Sequence, residues 1–376
     1  MIVTFYNPLN MCFGGGGERW LFEISRRLSQ KGYEVNIISL KYPPNTNRPN
    51  FRANNDFHYF ELPYVKLPRG NPIPSPSSIR DILKKFNDSD VVYFYVSPPN
   101  EIILKIFKSG LRSPIIGGFH SFMWHRITLQ RLYSYFMKYS LKVFNAFHVL
   151  NSYLFDLLQT WDYNNIYFIP NGVDTSIFKP ITFHEGSTSE RFEVLFVSRF
   201  VKEKGIDVLI NVIKWINEKY TNIKNKIMFK IAGKGTLKTM IERLTSKYNN
   251  VIYLGFLDAN ALVREYSRSH TLVITSYIEN MPLTLLEASA CGLPAIASAV
   301  PGILDVVKTL GYGALVKVGS YKDFARAILR FYQFFIRNPD AYLRIRRIIR
   351  ERTVRNYDWG LIVNKFEKML KDLNAH

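Results

Sequence analysis

The sequence predicts an α/β protein of two Rossmann-like domains, each a doubly wound parallel sheet, facing a central cleft. Three observations lead there. Short, continuously apolar runs alternate with segments of helical period, as parallel strands covered on both faces do. The series stops near residue 170 and begins afresh at Phe192. A chain of 376 residues with 47% apolar content exceeds one ordinary core and suits two.

Residues 2–6 read as the first strand, 18–31 as a helix and 34–40 as the second strand. Residues 42–78, rich in Pro and Asn, read mainly as loop, with a strand at 57–62. Further strands are expected at 90–96, 114–119, 146–150 and 166–169. Pro170-Asn171-Gly172-Val173-Asp174 then supplies turn residues and serves as the linker, which places the N-terminal domain at 1–172. In the second series strands fall at 192–197, 227–232, 251–255, 271–275, 295–298 and 314–316, within a domain of residues 173–356.

Fifty basic against thirty acidic residues give a net charge of +20, so phosphate, an anionic membrane or nucleic acid would be attracted. The aromatic content of 15% argues against disorder. Cys12 and Cys291 form neither a metal-type spacing nor a disulfide framework, which fits a reducing, cytoplasmic setting. The start reads as a strand rather than a leader peptide, and no apolar run reaches membrane-spanning length. A nucleic-acid binder is suggested only by charge and aromatic content; no binding module is recognisable.

Two constellations carry chemistry. In Ser276-Tyr277-Ile278-Glu279-Asn280-Met281-Pro282-Leu283-Thr284-Leu285-Leu286-Glu287, the first glutamate sits in a loop after a strand and the second a turn into a helix. Pro282 fits that helix's first turn. Its N-terminus suits an anion, and the Glu287 carboxylate suits paired sugar hydroxyls. A solvated loop acid beside a buried helix acid is the plainer alternative. In Ser198-Arg199-Phe200-Val201-Lys202-Glu203-Lys204-Gly205, Arg199 lies past a strand's C-terminal end and Lys204 at the opening of a helix. Cations there could grip a diphosphate and neutralise a departing nucleotide; two surface cations in a basic protein are the alternative. Near the start, Gly14, Gly15, Gly16 and Gly17 precede a helix and would expose N–H groups to phosphate, though they do not match a dinucleotide fingerprint. His120, beside His125, reads equally as a structural histidine at a strand end.

Together these segments, in order, resemble the retaining family-4 glycosyltransferases of GT-B fold. Their E-x7-E motif is similar to Glu279…Glu287 and their G-R-L-x-x-x-K-G motif to residues 198–205; residues 286–294 and the Ile169–Asp174 segment also match. The resemblance implies transfer of a sugar from a nucleotide diphosphate sugar to an acceptor hydroxyl with retention of configuration. It gives Arg199 and Lys204 to the diphosphate, Glu287 to the donor ribose and Glu279 to the transferred sugar. Backbone amides around the segment Asn280, Met281, Pro282 and Leu283 would help seat that sugar and its phosphates. Gly14 to Gly17 would lie against the donor phosphates, and His120 near the reacting sugar. It also implies that a helix at about 357–376 packs back on the first domain.

Ser198 replaces the family's glycine, which a negative φ would tolerate; Asn280 and Lys234 also depart from the pattern and put the donor's identity in doubt. A sugar-nucleotide epimerase or a phosphorylase on the same fold is the nearest rival, although no lysine motif for pyridoxal phosphate is found. No cofactor and no metal are expected, since no Asp-x-Asp element sits at a strand end. Residues 102–155 lack acids, and Arg126, Gln130, Ser134, Lys138 and Lys142 follow a spacing of four. That stripe fits a helix lying on an anionic membrane, with a glycan or lipid-linked acceptor; a core helix with one basic wet face fits as well. Arg337, Arg344, Arg346, Arg347, Arg350, Arg352 and Arg355 read as the wet face of a late helix.

Overall fold

The structure, a computed structural model, describes residues 1–11, 15–43, 56–67, 71–120, 137–181 and 191–375. Gly14, Cys12, His125, Arg126, Gln130 and Ser134 lie outside them. The chain divides into two compact units, Met1–Asn171 with Gly360–His376, and Gly172–Trp359.

The first unit runs β1 (Ile2–Asn7), α1 (Gly16–Gln30), β2 (Glu34–Leu40), β3 (His58–Leu62), the short pair β4 (Tyr64–Val65) and β5 (Ile73–Pro74), α2 (Pro76–Asn87), β6 (Val91–Tyr95), α3 (Asn100–Ile106), β7 (Ile115–Phe119), β8 (Ala146–Val149), α4 (Ser152–Thr160) and β9 (Ile166–Phe168). Its seven-stranded sheet has the order β3-β2-β1-β6-β7-β8-β9, parallel throughout. The apolar runs become strands because both faces are covered: all five residues of β6 and of β7 are buried. Helix α1 turns Trp20, Leu21, Ile24 and Leu28 to the sheet and stops where Gly32 takes a left-handed φ of 86°. Helix α2 opens inside the stretch read as loop. Ser75 caps it by accepting the Ser78 N–H and Pro76 occupies its first turn, so residues that resemble loop formers here start a helix.

The second unit runs β10 (Phe192–Val197), α5 (Ile206–Lys219), β11 (Ile227–Ala232), α6 (Lys238–Lys247), β12 (Val251–Gly255), α7 (Ala259–Arg268), β13 (Thr271–Ile274), α8 (Leu283–Ala290), β14 (Ala295–Ser298), α9 (Pro301–Leu310), β15 (Ala314–Val316), α10 (Tyr321–Arg337) and α11 (Pro339–Tyr357). Its six-stranded parallel sheet has the order β12-β11-β10-β13-β14-β15. A core of strand side chains and the inner faces of α5 and α10 fills one side. A last helix, α12 (Trp359–Asn374), buries Ile362, Val363, Phe366, Met369 and Leu370, with Phe366 against the rings of Phe5 and Trp20 in the first unit. No helix among the described residues is long and apolar enough to cross a membrane.

The late arginines are not one wet face. Arg346 is only 7% exposed, and its guanidinium donates to the carbonyls of Tyr266, Ser267, Ser269, Cys291 and Gly292. These carbonyls lie in the last turn of α7 or just past the ends of α7 and α8, where carbonyls need donors and form the negative ends of both helices. Arg350, one turn on, donates to Thr175, Phe178 and Ala290, and Arg352 to Leu310 at the end of α9.

Glu101, at the start of α3, is fully buried, and neither carboxylate oxygen makes a well-formed hydrogen bond. Burial pushes its carboxyl from 4.5 up to about 7, against a smaller lowering by the backbone of Glu101 and Ser97. The folded chain therefore holds a proton that the unfolded chain has already released. Stability is greatest below the unfolded value and falls as pH rises through about 7. Glu101→Gln should flatten that decline and stabilise the protein at about pH 8 by on the order of 2 kcal/mol. Urea unfolding of both proteins near pH 5 and pH 8 measures this; parallel pH profiles would refute it.

Candidate functional site

In open parallel sheets ligands bind beyond the carboxyl ends of the strands, where the strand order reverses. In the second unit that point lies between β10 and β13, and the two sequence motifs leave those two strands. Arg199 is exposed just past the end of β10. Lys204 closes a 3-10 turn, Lys202–Lys204, and donates from Nζ to Glu279 Oε1 at 2.5 Å. The Ser276 hydroxyl donates to the same oxygen at 2.8 Å. Bonds to main-chain carbonyls fasten the two loops: the Thr275 hydroxyl shares its hydrogen between the carbonyls of Lys204 and Gly205, and the Tyr277 N–H donates to that of Glu203. Gly205 has a left-handed φ of 66°, and a Cβ there would lie 2.0 Å from the Thr275 carbonyl oxygen. The glycine after the lysine is thus required twice, by conformation and by contact.

The remaining residues of the acidic motif follow Glu279 into the next helix. Asn280 and Met281 are buried, and Pro282 stands one residue before the helix with an extended ψ of 124°, not within its first turn. Leu283 begins α8, whose first N–H groups have no partner within the helix. Glu287 is 2% exposed and accepts a hydrogen bond from the Tyr266 hydroxyl at 3.2 Å. Tyr266, 21 residues earlier, carried no signal in the sequence. Helix α9 presses on the Asn280 carbonyl through Gly302, where a Cβ would come within 1.6 Å of that oxygen.

A third wall follows β11. Ser198 has no positive φ, so its substitution for glycine is tolerated, while Gly233 takes φ 140° with the Ser198 carbonyl where its Cβ would be. Lys234 stands 4.6 Å above the ring of Phe256, which is 69% exposed just beyond β12. Phe256 was also missed by sequence reasoning.

The corresponding point of the first unit lies between β1 and β6. Gly15 precedes α1, but its N–H donates to Glu18 Oε2 at 2.9 Å, the half of a capping box that a glycine N-cap allows, and Asn7 Nδ2 donates to the other Glu18 oxygen at 3.3 Å. Among the described glycines, the N–H groups left for an anion are therefore those of Gly16 and Gly17. The Tyr95 hydroxyl donates to the Gly17 carbonyl at 2.8 Å. His120, at the end of β7, stacks on Tyr95 at 4.3 Å and lies 4.2 Å from Trp20, ring centre to ring centre, so it adjoins the glycine segment. Its Nε2 is 2.7 Å from the Tyr93 hydroxyl, which is 2.5 Å from His148 Nδ1. Burial lowers both imidazoles, with His148 also lowering His120 well below the usual range and His148 reaching about 4, so both are neutral at pH 7. Among the described residues no cluster of three His, Cys, Asp or Glu side chains is placed to hold a metal ion.

Two family models match successive parts of the chain: Glycosyltransferase Family 4 over residues 14–177, and Glycosyl transferases group 1 over 178–348. A phosphatidylinositol N-acetylglucosaminyltransferase subunit of Homo sapiens is 30% identical over 142 residues, which are 37% of this chain and only 28% of that protein. Phosphatidyl-myo-inositol mannosyltransferase of Mycolicibacterium smegmatis is 22% identical over 96% of this chain and 91% of its own length. Among solved structures, sucrose-phosphate synthase of Thermosynechococcus elongatus superposes with a TM-score of 0.78 at 20% identity, covering 100% of this chain and 99% of that one. At that identity the likeness is one of fold, GT-B.

Proposed function

This chain belongs to the group 1 and family-4 glycosyltransferases, and on that premise we propose that it moves a sugar from a nucleotide diphosphate sugar to an acceptor hydroxyl with retention of configuration. The observation that carries the reading is the Lys204–Glu279 pair, fixed by Thr275 and Gly205 at the point where the strand order reverses. Charge developing on a departing diphosphate there meets the ammonium of Lys204 and the guanidinium of Arg199. Glu279, aligned by Ser276, accepts hydroxyls of the transferred sugar. Backbone N–H groups of Asn280, Met281 and Leu283, leading into α8, seat the donor phosphates, and Glu287, oriented by Tyr266, takes the ribose hydroxyls. Phe256, with Lys234 over its ring, offers the nucleobase an exposed stacking face. Of the first-unit residues, the reading gives Gly16 and Gly17 the phosphates and His120 a hydroxyl of the reacting sugar. Attack from the face the nucleotide leaves, without a covalent enzyme intermediate, gives retention.

For the acceptor, two relatives carry phosphatidylinositol or phosphatidyl-myo-inositol in their names, and the net charge of +20 favours an anionic surface. A lipid-linked or glycan hydroxyl, reached from the cytoplasmic face of a membrane, is the acceptor class we propose. A thermal-shift panel of nucleotide sugars tests the donor. Its cognate member at about 100 times its Kd should stabilise the fold by roughly 2.7 kcal/mol. Absence of a shift with every nucleotide sugar would refute the assignment. With the donor in hand, the anomeric configuration of the product made on glycan and on lipid acceptors in anionic vesicles decides retention and acceptor together.

A further inference from the structure

We infer that Tyr93 and His148 are positioning residues that lock His120 in its Nε2–H form, so that His120 offers Nδ1 as an acceptor and selects a ligand group that donates a hydrogen bond. The derivation starts at the far end of the chain of contacts. The Ile169 carbonyl only accepts, so His148 Nε2, 2.8 Å away, carries the hydrogen. A neutral imidazole has one N–H, which leaves His148 Nδ1 as an acceptor. The Tyr93 hydroxyl, 2.5 Å from that nitrogen, must give it its single hydrogen. With none left, the Tyr93 oxygen accepts at its other contact, and His120 Nε2, 2.7 Å away, is the donor. His120 Nδ1 then carries a lone pair and, among the described residues, has no protein partner.

Packing maintains this polarity. Burial keeps both rings neutral, which excludes the reverse direction through a charged His148. The planes of Tyr95 and Trp20 hold the His120 ring. Gly118 makes room for the relay, since a Cβ there would fall 2.1 Å from the Tyr93 hydroxyl. A lone pair pointed at a ligand repels a phosphate or carboxylate oxygen and welcomes a hydroxyl. Naming that group a hydroxyl of the transferred sugar rests on the glycosyltransferase reading; the tautomer does not.

The test uses the full chain labelled with 15N in its seven histidines. Two-bond 1H–15N correlation at neutral pH, assigned with His120→Gln and His148→Phe, should show both relay histidines as Nε2–H. In His148→Phe the Tyr93 hydrogen has only His120 Nε2 to receive it, so His120 should invert to the Nδ1–H form. In the nearly isosteric Tyr93→Phe it should average between the two. A wild-type His120 in the Nδ1–H form, or one unchanged in both variants, overturns the relay. Deoxyfluoro nucleotide sugars, whose fluorine cannot donate, supply the second readout. One of them should bind wild type about tenfold more weakly than its parent sugar, with the gap closing in His148→Phe. Equal binding of every analogue by wild type overturns the selection of a donor group. If no nucleotide sugar binds at all, the functional reading falls while the tautomer result stands by itself.

Discussion

Lys204→Ala lowers turnover about 100-fold or more, as expected when a charge that meets the leaving group in the transition state is removed from a preorganised site. The side chain is partly buried and its nitrogen sits 2.5 Å from Glu279, so alanine removes two things. The diphosphate loses a cation, and Glu279 keeps its bond from Ser276 but no longer faces Lys204 Nζ. Glu279→Gln separates them. It retains Lys204 and the shape of the loop while discharging the acid, so it should weaken seating of the sugar more than departure of the nucleotide. Steady-state kinetics on both variants, with unfolding temperature as the control, checks this. Near-wild-type turnover in Lys204→Ala would remove the assignment of the donor site.

Gly302→Ala, the addition of one methyl group, is expected to cost about 3 kcal/mol or more and to abolish donor binding. The cause is steric and lies in the main chain. The new carbon would stand 1.6 Å from the Asn280 carbonyl oxygen, and backbone on both sides has no rotamer to escape through. Either α9 moves away from the sheet or the Asn280–Met281 segment moves out of register with α8. Denaturant unfolding measures the first outcome and nucleotide-sugar titration the second; wild-type values for both would contradict the close approach.

The fold was legible because parallel strands buried on both faces leave unbroken apolar runs. The strands at 192–197, 227–232, 251–255, 295–298 and 314–316 have the bounds the sequence predicts. The polar contacts were not. Tyr93, His120 and His148 are separated by 27 and 55 residues from Tyr93, and no periodicity connects them; only the register of β6, β7 and β8 brings them together. Arg346 and Arg350 misled for a related reason. Helical spacing shows which side chains share a stripe but not that two other helices end against it. Glu18 was read as the first residue of a helix, and its capping of Gly15 became visible only in the structure. The ion pair of Lys204 and Glu279 spans 75 residues; each partner stood out by its place after a strand and by the family resemblance, but nothing in the sequence showed that the two meet.

The position of α12 has a consequence for the order in which the protein is made. The aromatic core of the first unit, Phe5, Trp20 and Tyr93, is completed by Phe366, a ring added more than 270 residues after the last of the other three. A nascent chain leaves the ribosome from its N-terminus, so every strand of the first unit's sheet emerges before the helix that covers its aromatic core. It stays incomplete while the whole second unit is synthesised. The unit translated first is therefore the last to have all its residues available.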